Sequence, residues 1–344
     1  MVLFVSIKEV LLILKVNFLF MIRIILSTVL FLCTTGIVST QVISYQEHKE
    51  LGDVHWNRDY DKGLAQSTKE NKPMLILFQE VPGCATCRNY GSNVLSHPLI
   101  VETIENYFIP VTIFNNKRGK DLEILNKYNE PTWNNPVVRI VDNKGEDIVK
   151  RVNGNYSETG LIDAMMTGII KSGNLVPEYL NILYQELSKD QNECYLSMYC
   201  FWTGEKEIAK IPGVVTTQAG FMNGKEVVKV SFNENETNAK KIKKQADKKN
   251  CGDNLYLKNN AYRVDGESKY YLRHSKLQYV PMTIAQATKI NSALGERSDP
   301  LEFLSPQQLR WYHEIEDKKN TKGLKNYIEK DIRVSWADYK KTTD

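Results

Sequence analysis

The chain has 344 residues, enough for two ordinary domains that each bury a core. Apolar residues make up 42% and charged residues 25%, which excludes a disordered protein. A formal charge of +4 is too small to imply nucleic acid, and the lysine clusters at 240–249 and 318–325 read as solvated helix faces.

Residues 1–40 have the layout of a secretory leader. Met21-Ile22-Arg23 supplies a basic start and Ile24–Leu32 an apolar core. Small residues follow at Gly36 and Ser39-Thr40, which places cleavage near Thr40-Gln41. Residues 2–20 are apolar but carry Lys8, Glu9 and Lys15, a poor membrane span, so Met21 reads as the true start. A retained N-terminal membrane anchor is the alternative. Leu30-Phe31-Leu32-Cys33 lacks the small residue expected before a lipidated cysteine. The expectation is an exported protein, periplasmic or extracellular. Beyond Cys33, the cysteines are Cys84, Cys87, Cys194, Cys200 and Cys251, and this odd set argues for thiols that cycle over a purely structural framework.

Residues 46–190 read as one α/β unit. Asp59–Glu70 has helical spacing and stops at Asn71-Lys72-Pro73. Met74–Phe78 is wholly apolar, the mark of a buried central strand. Cys84-Ala85-Thr86-Cys87 follows, then a helical stretch through Val94, Leu95, Ile100 and Ile104, and a strand at Phe108–Phe114. Strands at Val137–Val141 and Asp147–Val152 flank the turn Asp142-Asn143-Lys144-Gly145, and a helix spans Ser157–Lys171. A first cysteine at a helix N-terminus gains thiolate character from unpaired N–H groups, so Cys84 is the expected attacking thiol. Cys87, one turn on, would release the mixed disulfide.

This order, with Cys-x-x-Cys at the end of the first central strand, resembles a thioredoxin-like domain. Trp56, the helix after it, and Lys69–Phe78 resemble the entry of such domains. Val81-Pro82-Gly83-Cys84 resembles the VPG-type thioredoxin-like family, whose relatives can carry selenocysteine where this chain has Cys84. The resemblance implies a cis-proline beside the cysteines at Pro136, there as a substrate-binding element.

Val176-Pro177 to Asp190 reads as a bridge to a second module at 191–300. Its expected elements are a helix at Phe201–Ile211, a strand at Val214–Gln218, a turn at Met222–Lys225, a strand at Val227–Phe232 and a helix at Thr237–Lys248. A further helix is expected at Gln286–Leu294, and another at Pro306–Ile315 opens a helical and polar tail over 301–344. Tyr270-Tyr271, Tyr279 and Trp311-Tyr312 read as core or rim aromatics.

Tyr199-Cys200-Phe201-Trp202-Thr203-Gly204-Glu205, then Pro212-Gly213-Val214, Thr217, Gly220-Phe221 and Gly224-Lys225-Glu226-Val227-Val228, resembles the A-type peptide methionine sulfoxide reductases. The chain departs from that pattern at Tyr199, Thr203 and Phe221, and has almost no insertion between Phe221 and Glu226. The implied fold is an α+β reductase-like domain following the α/β thioredoxin-like one. The implied chemistry is thiolate attack by Cys200 on methionine S-sulfoxide, free or protein-bound, with Glu226 as general acid. Phe201, Trp202 and Phe221 would line the substrate pocket. Glu205 is expected to be a helix surface or capping residue.

A sulfenic acid on Cys200 would be resolved by Cys251, or alternatively by Cys194, and then reduced by Cys84 and Cys87 as a tethered dithiol. The expected role is repair of oxidised proteins under oxidative stress. The competing reading is a thiol–disulfide oxidoreductase whose C-terminal module is a degenerate, non-catalytic substrate-binding unit. Reduction outside the cytoplasm implies an electron donor, such as a membrane thiol relay. Zinc wants four ligands, and no second Cys-x-x-Cys or histidine pair accompanies the cysteines, His97 being nearest in sequence. With no Gly-rich phosphate loop or serine-hydrolase elbow either, no metal and no cofactor is expected.

Overall fold

The computed structural model describes residues 48–343. The leader expected at 1–40, the Met21 start and Cys33 therefore lie outside the described residues. No helix among the described residues is long and apolar enough to cross a membrane.

The first sheet grows around β1 (Met74–Gln79), whose side chains are all buried. Alternation along a strand sends Leu75 and Leu77 to one face and Met74, Ile76 and Phe78 to the other, and each face meets its own apolar cluster. A strand covered on both sides reads as an unbroken apolar run, which is why its sequence carried no polar alternation. The flanking helices are α1 (Tyr60–Glu70), α2 (Ala85–Asn93) and α3 (Pro98–Tyr107). Strands β2 (Ile109–Phe114), β3 (Val137–Val141) and β4 (Val152–Asn153) complete the order β2-β1-β3-β4, with β2 parallel to β1 and the others antiparallel to their neighbours.

Helix ends follow local chemistry. Asp59 accepts the Lys62 N–H at 3.1 Å to start α1, and Asn71, in the left-handed region at φ 51°, ends it. The helical stretch expected after the cysteines is two helices, because Pro98 lacks an N–H and opens a new first turn at α3. Helix α4 (Lys120–Lys127) was not expected; it is short and charged, and buries Ile124 and Leu125. The strand expected at Asp147–Val152 is reduced to a bridge between Val141 and Asp147 and the two residues of β4, although the Asp142–Gly145 turn closes as expected with a 3.1 Å bond. Ser157 caps α5 (Glu158–Lys171) by accepting the Gly160 N–H at 3.1 Å.

The expected bridge is helix α6 (Glu178–Leu187). Its Tyr179, Leu180 and Leu183 join the first core, while Ile182 packs on Val215 and Ala285. A second sheet follows, ordered β8-β5-β7-β6-β9 and antiparallel throughout. It comprises β5 (Gln191–Ser197), β6 (Val214–Met222), β7 (Lys225–Asn233), β8 (Leu255–Tyr256) and β9 (Arg263–Val264). Strand β5, absent from the sequence reading, leads directly into Cys200. Asn223 and Gly224, at φ 53° and 72°, form the two-residue turn that fixes the β6–β7 register. Helices α7 (Phe201–Ile208) and α8 (Ala239–Lys248) supply Phe201, Ile208, Ile242 and Ala246 to the core on this sheet. Lys240, Lys241, Lys244 and Lys248 on α8 are exposed, as expected of a solvated face.

Helices α9 (Tyr270–Arg273), α10 (Ile284–Glu296), α11 (Pro306–Glu316) and α12 (Ile332–Thr343) complete the chain. Segment 301–344, expected to be a helical and polar tail, is helical but not merely polar. Trp311, Tyr327, Ile332, Trp336 and Tyr339 are buried in the same cluster as Leu75 and Leu77. Each indole buries on the order of 200 Å2, about 5 kcal/mol of gross transfer free energy before ordering costs. That is ample to hold the segment against the first sheet. The described residues accordingly form one contact unit.

Candidate functional site

Two cysteine centres emerge, each at the start of a helix that follows a strand. In the first, Cys84 is the N-cap of α2, exposed, with no side-chain cap in its way. Cys87 is fully buried, and the two sulfurs lie 3.7 Å apart as free thiols. The approach is built for close passage. The Gly83 N–H donates to the buried Glu50 carboxylate at 2.8 Å, and a Cβ on Gly83 would fall 2.3 Å from the Glu80 carbonyl oxygen. Arg88 donates to the Gly83 carbonyl, and Gln79 reaches the carbonyls of Glu50 at 2.8 Å and Cys87 at 3.3 Å. Asn135–Pro136 is a cis peptide, as expected for Pro136, and the Asn135 Oδ1 lies 2.6 Å from the Cys87 sulfur.

Electrostatics divide the pair. The backbone N–H of Cys87, aimed at the Cys84 sulfur, holds the Cys84 thiol below its ordinary range despite some burial. Burial, and next the Cys84 sulfur beside it, push the Cys87 thiol up to about 12. Cys84 is the more readily ionised of the two thiols and Cys87 the less. Limited iodoacetamide treatment of the reduced protein, mapped by peptide mass spectrometry from pH 5 to 9, should therefore label Cys84 first. Its rate should rise through a midpoint below that of a free thiol, with Cys87 and Cys194 last. Equal labelling of Cys84 and Cys87 at pH 7 would contradict this assignment.

In the second centre, β5 delivers the chain to Cys200, the half-buried N-cap of α7. Glu226 on β7 accepts the Phe201 N–H at 2.9 Å, so its carboxylate meets the positive end of the helix that Cys200 begins. The Thr203 hydroxyl lies 3.5 Å from the Cys200 sulfur, and Tyr199 is almost fully exposed. Phe201 meets Phe221 edge-on at 5.2 Å. Trp202 stacks on Tyr270 at 4.3 Å and donates its indole N–H to Asp265 at 3.3 Å. Cys200, Glu226, Phe201, Trp202 and Phe221 are thus brought together.

Cys194 and Cys251 are not beside them as open thiols. Cys194 is fully buried on β5, where burial pushes its thiol up to about 12. Cys251 is buried in the same core and donates to the Ala246 carbonyl at 3.5 Å. Glu205, expected at a helix surface or cap, is instead wholly buried and ion-paired. Its Oε1 lies 2.7 Å from the Lys269 ammonium, its Oε2 accepts the Lys269 backbone N–H at 2.8 Å, and neither side chain is exposed. The helix behind Cys200 is thereby tied to the turn after β9. A carboxylate this deep needs a cation, and Lys269 satisfies it across 64 residues of sequence. Asn135, Glu80, Lys269 and Asp265 were not legible as site residues; only their nearness in the fold reveals them.

A family model described as thioredoxin-like matches residues 55–143. A thioredoxin from Thermus thermophilus, solved in solution, is 19% identical over 35% of this chain and 90% of its own, with a TM-score of 0.31. A DsbH oxidoreductase is 14% identical over 35% of this chain and 88% of its own, with a TM-score of 0.30. No curated protein matches the chain. Residues 55–143 form a thioredoxin-like domain, a fold that suggests thiol–disulfide oxidoreductase activity.

Proposed function

We propose that the chain is an exported thiol oxidoreductase in which Cys200 reduces methionine S-sulfoxide and the Cys84/Cys87 dithiol returns Cys200 to its thiol. The observation that carries this reading is the Glu226 carboxylate, 2.9 Å from the Phe201 N–H at the turn that Cys200 opens. That position places one acid where it can serve the leaving oxygen of a sulfoxide held at Cys200.

The Cys200 thiolate attacks the sulfoxide sulfur as Glu226 protonates its oxygen. The resulting hydroxyl then passes from the methionine sulfur to the Cys200 sulfur as the bond between the two sulfurs breaks, which releases the methionine thioether and leaves Cys200 as a sulfenic acid. A thiol condenses with that acid, releasing water and forming a disulfide. Attack on this disulfide by Cys84, then closure to Cys87, regenerates Cys200. Two electrons must then come from outside, and an exported chain would receive them from a membrane thiol relay.

With dithiothreitol as donor, the protein should reduce N-acetylmethionine S-sulfoxide, and Cys200→Ser should lose turnover entirely. Glu226→Gln should lose about 10²–10⁴-fold, the usual worth of a positioned proton donor. Absence of sulfoxide turnover in the wild type would sink this reading. Two features favour the alternative, a thiol–disulfide oxidoreductase whose second module only binds substrate: Trp202 is covered by Tyr270, and Cys194 and Cys251 are both buried. Under that alternative, insulin disulfides are reduced while sulfoxide is not.

A further inference from the structure

The cysteine pair has a third neighbour, Glu80. A ligand atom each from Glu80, Cys84 and Cys87 lie within 4.8 Å of one another, the one such group of potential metal ligands among the described residues. The geometry suits a small thiophilic cation. Zinc bonds thiolate sulfur at about 2.3 Å in a tetrahedron, which sets the two sulfurs roughly 3.8 Å apart. Here they are already 3.7 Å apart. Glu80 follows β1 immediately and is half-buried. Cys84 is exposed, which leaves a way in and a fourth position open to water.

We propose that the reduced Cys84/Cys87 pair and the Glu80 carboxylate form a zinc site that competes with thiol–disulfide exchange. The inference rests on the dithiol reading above and adds a ligand class to it. Binding releases both thiol protons to solvent and joins two thiolates and one carboxylate to Zn2+, with no change in sulfur oxidation state. While zinc is bound, neither sulfur lone pair is free to attack a disulfide. Oxidation to the Cys84–Cys87 disulfide removes two of the three ligands, so the metal leaves. The absence of a second Cys-x-x-Cys or a histidine pair is no obstacle, because a carboxylate supplies the third ligand.

The test uses the reduced full chain, with Co2+ as a spectroscopic stand-in and Zn2+ competed against a chromophoric chelator. Expected are a thiolate-to-cobalt charge-transfer band, one zinc per reduced chain, about two protons released per zinc, and none bound after oxidation. Glu80→Gln, nearly isosteric, should weaken zinc more than about 100-fold, since loss of even an outer-shell partner costs about 10–100-fold. Zinc affinity unchanged in Glu80→Gln, or zinc retained by the Cys84→Ser/Cys87→Ser double variant, would overturn the site. Insulin reduction by the wild type in excess chelator separates the two claims. Activity without zinc binding sinks this site alone, and zinc binding without activity sinks the exchange reading alone.

Discussion

A Cys84→Ser chain should reduce insulin disulfides at least about a thousandfold more slowly than the wild type, because a serine hydroxyl is not ionised near neutral pH. Exchange begins when the Cys84 thiolate attacks one sulfur of a disulfide and expels the other as a thiolate. Cys87, 3.7 Å away, then attacks the Cys84 sulfur and releases the second. Its thiol, pushed up to about 12, must lose its proton within the mixed disulfide, and the Asn135 amide oxygen at 2.6 Å and the Glu80 carboxylate within 4.8 Å are polar groups near that sulfur. Cys87→Ser should therefore stop halfway, and non-reducing mass spectrometry should find one substrate molecule bound per chain. A Cys84→Ser protein that keeps a tenth of the wild-type rate would remove Cys84 from the attacking role.

Removing one partner of the buried Glu205–Lys269 pair should have the largest effect on stability. Lys269→Met strands the Glu205 carboxylate with no exposed surface, and Glu205→Leu strands the ammonium, so each should cost about 3–5 kcal/mol in urea denaturation. The double variant Glu205→Leu/Lys269→Met should recover most of that loss, because neither charge then pays for desolvation. A single variant within about 1 kcal/mol of the wild type would mean that water reaches the pair. The Lys269 backbone sits in the left-handed region at φ 63°, a strain that the Glu205 bond to its N–H offsets. Since α7 bears both Glu205 and the Cys200 cap, the variants should also loosen Cys200, seen as faster alkylation of that residue.

Legibility followed how local each signal is. Met74–Phe78 announced a central strand because both its faces are covered, and Asp59, Ser157 and Asn223-Gly224 act within a few residues of themselves. Cys84 and Cys87 were readable for the same reason, being neighbours in sequence and in space. Strand β5 was hidden because Gln191-Asn192-Glu193 are partly or wholly exposed and only its second half is buried, so no alternation runs its length. Glu205 read as a surface carboxylate because its cation comes from a turn far along the chain. The aromatics of 301–344 sit singly among polar residues, and nothing nearby says which core they enter. Glu80 escaped because a lone acid beside a cysteine motif acquires meaning only from a distance to sulfur.

Trp336 and Tyr339 finish the packing of a sheet whose strands come much earlier in the chain. A ribosome that has emitted β1 to β4 has yet to make this lid, so the upstream half waits with a greasy face open while the second sheet is synthesised. The two halves therefore mature together instead of in succession. A cut between them would leave the upstream piece sticky, however complete its own strands.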